Sequence, residues 1–238
     1  MKVAVINFSG NVGKSTIARH LLVPRIEGAE LVVVETLNAD DRDGAQALRG
    51  RQFGELQEYL QTVDNVVVDI GASNVEELLA LMRKYQGSHE DFDCFVVPTV
   101  PALKQQRDTI AMLAELSNLG VAPERMKLIF NMVEDGIEVA DAFDTLLAFI
   151  QQSPVAQVDV RCRLGLNEIY ARLRLARATS ARELTAIASD DTDYKALIAR
   201  ANDMSDKLSL AQALATRRLA RGLIPELDAC FAALQLIR

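Results

Sequence analysis

The chain is 238 residues long, half of them hydrophobic and a quarter charged, which is a globular composition with enough length to bury a substantial core. That composition excludes a disordered or fibrous chain, and no apolar run approaches bilayer-spanning length, so membrane insertion is not expected. The net charge of −7 argues against a uniformly basic nucleic-acid binder, although residues 1–150 hold 13 basic and 23 acidic side chains while residues 151–238 hold 13 and 10.

The first apolar run, Val3-Ala4-Val5-Ile6, predicts a strand, and Ile17-Ala18-Arg19-His20-Leu21-Leu22 repeats its apolar residues at helical spacing. Between them lies Asn7-Phe8-Ser9-Gly10-Asn11-Val12-Gly13-Lys14-Ser15-Thr16. Strand, tight loop and helix make the setting of a phosphate-binding loop. Small residues let successive backbone N–H groups face an oxyanion, the helix N-terminus adds partial positive charge, Lys14 reaches the outer phosphates and Ser15 holds magnesium. The general spacing G-x-x-x-x-G-K-[ST] is not met, because Phe8 stands where its first glycine would be. The bland alternative is a glycine-containing β–α turn that happens to precede a lysine.

Glu30 to Glu35 predicts a second strand, running into a polar loop over residues 36–44, and residues 45–60 have helical composition. Asn65 to Ile70 predicts a third strand carrying Asp69 near its end with Gly71 behind it, the arrangement that holds magnesium beside a phosphate loop. Its alternative is an ordinary strand end, with Ser73 or Asn74 capping a helix over 75–85. A fourth strand over 94–99 ends in Pro98-Thr99, and a helix over 102–119 follows, with Ile110, Leu113, Ala114 and Leu116 as its expected buried face. Met126 to Asn131 predicts a fifth strand, residues 137–152 an amphipathic helix, and residues 154–160 a sixth strand. From Leu166 the chain reads as helices over 166–176, 181–188, 194–215 and 219–236, with Pro225 interrupting or starting the last. Cys94, Cys162 and Cys230 are widely spaced and odd in number, which predicts reduced thiols in a cytoplasmic protein; a strand beginning at residue 3 leaves no room for a targeting peptide. Arg161, Arg163, Arg172, Arg174, Arg177, Arg217, Arg218 and Arg221 form either a DNA-facing surface or solvated helix faces.

The segment Gly10-Asn11-Val12-Gly13-Lys14-Ser15-Thr16 resembles the deviant loop K-G-G-x-G-K-[ST]-T of the ParA/MinD family of ATPases, with Ser9 at the signature-lysine position and Asn11 at the second glycine. Together with Asp69-Ile70-Gly71, Pro98-Thr99 and Asn131, the resemblance covers about residues 2–175, and within the family the chain looks most like the plasmid-stability proteins called StbB. The resemblance implies an α/β P-loop NTPase fold, a mainly parallel sheet sandwiched by helices with a helical C-terminal tail, as a single domain with a nucleotide-binding core over 1–175 and an extension over 176–238. It implies ATP or ADP held by Gly10, Asn11, Val12, Gly13, Lys14, Ser15 and Thr16, adenine met by Asn131, and magnesium held by Ser15 and Asp69. Catalysis would fall to Lys14 and to Asp40, which stands in from a shifted position because Glu35 and Leu37 occupy the places of the family's switch aspartates. Without a lysine at Ser9, hydrolysis is expected to be slow unless Lys104 or Arg107 supplies the charge. Implied partners are a nucleotide-dependent second copy, a DNA-binding protein of a plasmid stability or conjugation system, and non-specific DNA through the arginines; a bacterial cytoplasmic location, at the nucleoid or a plasmid, follows. Three other readings remain: a metabolic P-loop enzyme such as a dethiobiotin-synthetase-like ligase or small-molecule kinase, a GTPase, for which Asn131-Met132-Val133-Glu134 lacks the lysine and aspartate of N-K-x-D, and a nucleotide-free scaffold.

Overall fold

Among the described residues, six strands form one parallel sheet in the order β2-β3-β1-β4-β5-β6: β1 Lys2–Val5, β2 Glu30–Val34, β3 Val66–Ile70, β4 Cys94–Thr99, β5 Met126–Val133 and β6 Arg163–Gly165. The computed structural model describes residues 1–34, 50–175 and 182–236, so the loop holding Glu35, Leu37 and Asp40, and Arg177, lie outside the described residues. The α/β fold expected from the sequence is the one observed.

Valine-rich runs form the central strands because β-branched side chains fit a pleated surface buried on both sides. Ala4, Ile6, Val66, Val68, Phe95, Val97, Leu128 and Phe130 face one large core, closed by helices α2 Gly50–Thr62, α3 Val75–Lys84, α4 Leu103–Asn118 and α6 Asp144–Gln152. The alternate residues Val3, Val5, Val67 and Val96 point to the opposite face and are equally buried, and Ile17, Ala18, Leu21 and Leu22 are buried outside the large cluster. Sequence neighbours leave β1 on one side toward β2 and return past it to β4 on the other. That reversal opens a crevice at the carboxyl ends of β1 and its neighbours, the place where open α/β sheets bind ligands.

Four elements depart from the periodicity. The sixth strand is Arg163–Gly165, not 154–160. Pro154 has no N–H to give, the 155 N–H turns back to Ser153, and only Lys127 and Gln157 bridge there before Asp159 folds the chain into a turn with Cys162. The helix expected over 137–152 is two, α5 Val139–Ala142 and α6, because Phe143 leaves helical angles at φ −125° to bury its ring edge-on against Phe130, 4.9 Å away. The helix expected over 194–215 stops as α9 Tyr194–Arg200, since Ala201 is extended and Asp203 caps a new helix through the N–H of Ser205. That new helix, α10 Met204–Leu234, continues through Pro225. One missing hydrogen bond and a local clash cost roughly 3 kcal/mol, but Ala220, Leu223, Leu227, Cys230 and Leu234 are all buried at alternating spacings of three and four, and the three leucines each return about 1.5–3 kcal/mol.

The described residues fall into two compact units, Met1–Leu166 with Cys230–Arg238, and Asn167–Ala229. The second contains α7 Ile169–Leu175, α8 Arg182–Ser189, α9 and most of α10. Its turn at 190–194 is knotted: Thr192 and Tyr194 both donate to the Asp190 carboxylate and hold its pKa down at about 2, and Arg217 donates to the carbonyls of Asp190 and Thr192 while lying over the Tyr194 ring. Among the described residues, no helix is long and apolar enough to cross a membrane.

Candidate functional site

The loop between β1 and α1 Lys14–Thr16 sits at the crevice described above. Its shape comes from two residues in the left-handed region, Asn11 at φ 59° and Gly13 at φ 90°, so the asparagine takes the conformation for which it is tolerated there. Alternation into that region turns successive N–H groups toward one concavity. Among the described residues, none accepts a hydrogen bond from the backbone N–H groups of Gly10 to Lys14. The helix then starts with the Ile17 N–H on the Gly13 carbonyl, and continues over Ile17–Leu22 as a π-helix, a wide turn that recurs near functional sites.

Lys14 is 7% exposed and folds back over its own loop, donating from Nζ to the Ser9 carbonyl at 2.6 Å and the Asn7 carbonyl at 3.2 Å. Burial pushes its pKa from the ordinary 10.5 down to about 8, and the charge of Asp69 partly opposes the shift. Asp69 is 2% exposed and lies in register with Val5 on the adjacent strand, one strand across from the loop's root. Ser15 is exposed in the first turn of α1. The expected helix cap beyond Asp69 is not made by a side chain: Asn74 is buried and spends its amide on the Val34 carbonyl at 3.0 Å, fixing the end of β2 instead.

Asn131 is drawn to the loop rather than left as an isolated strand end. Its Nδ2 donates to the Val12 carbonyl at 2.9 Å, and a Cβ built on Gly13 would stand 2.3 Å from that nitrogen, so glycine is required there twice over. The next residue, Met132, has φ 57° and coincides with a register irregularity between Phe130 and Val133. With Nδ2 committed, the amide oxygen is the atom that can accept from an exocyclic amine.

Two framework residues carry no motif in the sequence. Asn7 donates to the Pro98 carbonyl and to Thr109 Oγ1, each at 2.8 Å, and accepts from the Ser9 N–H, tying the loop's root to β4 and α4. Asp108 on α4 accepts from the Ser9 hydroxyl. The expected face of α4 holds for Leu113 and Leu116, but Gln106, Thr109 and Met112 are buried with them, because this helix packs a polar seam beneath the Pro98-Thr99 strand end. Of the arginines considered for DNA, Arg161 pairs with Asp159, Arg172 with Glu168, and Arg217 and Arg221 brace the turn at 188–192.

The set fits a magnesium nucleotide. An open run of N–H groups suits phosphate oxygens, the lysine is within the same loop, and one serine hydroxyl with one carboxylate is the sparse oxygen donor set magnesium takes when phosphates and water complete its shell. Among the described residues, no group of three or more histidines, cysteines or acids could hold a metal by itself.

No protein-family model matches the chain, and no curated protein does. Among solved structures, similarity is found to Cyanothece McdA in its apo form, at 14% identity and a TM-score of 0.49 over 90% of this chain and 98% of that one. The MinD cell division protein of Aquifex aeolicus is 12% identical at 0.49 over 92% and 97%, and pNOB8 ParA bound to nonspecific DNA is 11% identical at 0.38 over 95% and 98%. At those identities and scores the likenesses assign neither family nor activity, and the function rests on the chain's own geometry.

Proposed function

We propose that the chain is a Mg-ATP-binding switch of the ParA/MinD kind, an ATPase with slow intrinsic turnover, serving plasmid stability, partition or conjugative transfer as the resemblance to StbB proteins implies. The observation that carries nucleotide binding is the run of backbone N–H groups from Gly10 to Lys14, none bonded to a described residue, which follows the carboxyl end of β1 in a parallel sheet, with Lys14 and Asp69 both buried.

In this reading Gly10 to Thr16 cradle the phosphates, and Lys14 leaves the Asn7 and Ser9 carbonyls for the outer phosphate oxygens. Ser15 and Asp69 hold magnesium, which supplies neutralising charge to the phosphates when bound. Asn131 keeps the loop seated through Val12 and turns its oxygen to the adenine amino group. Asp40 orients the attacking water. Nucleotide state then governs pairing with a second copy, engagement of a DNA-binding partner protein and direct non-specific DNA contact through the exposed arginines, in the bacterial cytoplasm at the nucleoid or a plasmid.

The test is size-exclusion chromatography with light scattering on the apo, ADP-bound and ATP-analogue-bound chain, with and without non-specific DNA, using Lys14→Ala as control. A dimer formed only with the ATP analogue, and lost in Lys14→Ala, supports the switch. An unchanged monomer in every condition sinks it, and rapid phosphate release by the isolated chain sinks slow turnover.

A further inference from the structure

Beyond the loop, a line of polar contacts runs from Ser9 onto α4. The Ser9 hydroxyl donates to Asp108 Oδ2, and the same carboxylate oxygen lies 3.7 Å from Lys104 Nζ, one turn nearer the start of the helix. On its other side Ser9 offers its carbonyl to Lys14. Ser9 therefore links two ammonium groups, the buried Lys14 directly and Lys104, whose side chain is 81% exposed, through the Asp108 carboxylate.

Lys104 is misplaced by local rules. It stands in the first turn of α4, a turn with no acidic residue, where the helix dipole disfavours a cation. Its partner follows it by four residues, the weaker orientation for such a pair. An exposed pair of this kind is worth little, so releasing the lysine is easy. Asp108 also needs a reason. A carboxylate beside an anion-binding loop repels an incoming polyphosphate unless it is neutralised; the Lys104 ammonium does that here, while the Ser9 hydroxyl fixes the same oxygen by a hydrogen bond.

We infer that Lys104 is a second phosphate-contacting cation of this chain, held ready by Asp108 and passed to the outermost phosphate of a nucleoside triphosphate. The inference rests on the nucleotide-binding reading above. Lysine suits the transfer because its charge is compact and its stem flexible. Ser9 keeps its bond to Asp108 as the lysine swings, which fixes the carboxylate in place, and the ammonium then lies between the carboxylate and the phosphate and offsets both. In hydrolysis, water adds to the outermost phosphorus as the bond to the bridging oxygen breaks, giving nucleoside diphosphate, inorganic phosphate and a proton released to solvent. The Lys104 ammonium offsets charge on the transferred oxygens as it develops. Asp108 is a positioning residue and never meets the phosphate.

The experiment measures the affinity of the full chain for fluorescent analogues of ADP and of non-hydrolysable ATP, in wild type, Lys104→Gln and Lys104→Arg, with phosphate release alongside. Because a charge-assisted contact is lost, Lys104→Gln is expected to weaken the ATP analogue by about tenfold and to lower phosphate release to a similar degree. Its ADP affinity and melting temperature should stay at the wild-type values, and Lys104→Arg should restore most of the ATP preference. An unchanged ratio of ATP-analogue to ADP affinity in Lys104→Gln overturns the role of Lys104 while leaving nucleotide binding intact. A wild-type chain that binds neither analogue overturns both.

Discussion

Replacing Lys14 with methionine isolates the energetics of the buried ammonium, because methionine keeps the length and apolar body of the side chain while removing its charge. In the folded, nucleotide-free chain the Lys14 pKa lies near 8, pushed down by burial, against 10.5 when exposed. The unfolded chain therefore binds more protons than the folded one between those values, and wild-type stability should rise with pH across that window. The full shift corresponds to about 3 kcal/mol of strain at pH 7, and solvent at the loop mouth reduces the realised share, so about 1–2 kcal/mol should be recovered between pH 7 and 9.5. Urea unfolding of wild type and Lys14→Met at half-unit pH steps reads the difference directly. The difference curve should climb above pH 8 and flatten near 10.5; parallel curves at all pH values would falsify the claim that the loop strains its own lysine.

Other substitutions test separate parts of the site. Gly13→Ala sets a Cβ 2.3 Å from Asn131 Nδ2 at φ 90°, and should destabilise the chain by about 2 kcal/mol or more in thermal or urea unfolding. Asn131→Ala frees the Val12 carbonyl; a drop of about 1 kcal/mol in stability together with a weakened preference for ATP over GTP is expected, and unchanged base preference would confine Asn131 to holding the loop. Asp69→Asn should abolish the effect of magnesium on ATP-analogue affinity while nucleotide still binds in its absence, measured by titration with and without chelator. In the second unit, Arg217→Ala removes two bonds to backbone carbonyls and the contact over Tyr194, so amide exchange at residues 190–194 should accelerate by roughly tenfold or more.

What the linear order of residues determined is what local physics determines. Valine-rich runs separated by helical periods specify a parallel sheet buried on both faces; a strand, a loop of small residues and a lysine specify a phosphate cradle; an aspartate near the end of a neighbouring strand marks its counter-charge. Asn11 can stand at the loop's second-glycine position because tolerance of left-handed angles belongs to asparagine itself, and it sits there at φ 59°. Contacts between residues distant in the chain decided the rest. Ser9 reads as a missing charge, and only folding sets it against Asp108 and, through that carboxylate, beside Lys104. Asn131 reads as a strand end, and only folding brings its amide to the Val12 carbonyl, 119 residues away in the chain. Phe143 breaks a helix because Phe130 waits across the core, and Pro225 fails to break one because a buried stripe outweighs a single lost hydrogen bond. Periodicity reports which face a residue prefers; which partner it meets there, and whether that partner is worth a broken local rule, is settled only when the chain is closed on itself.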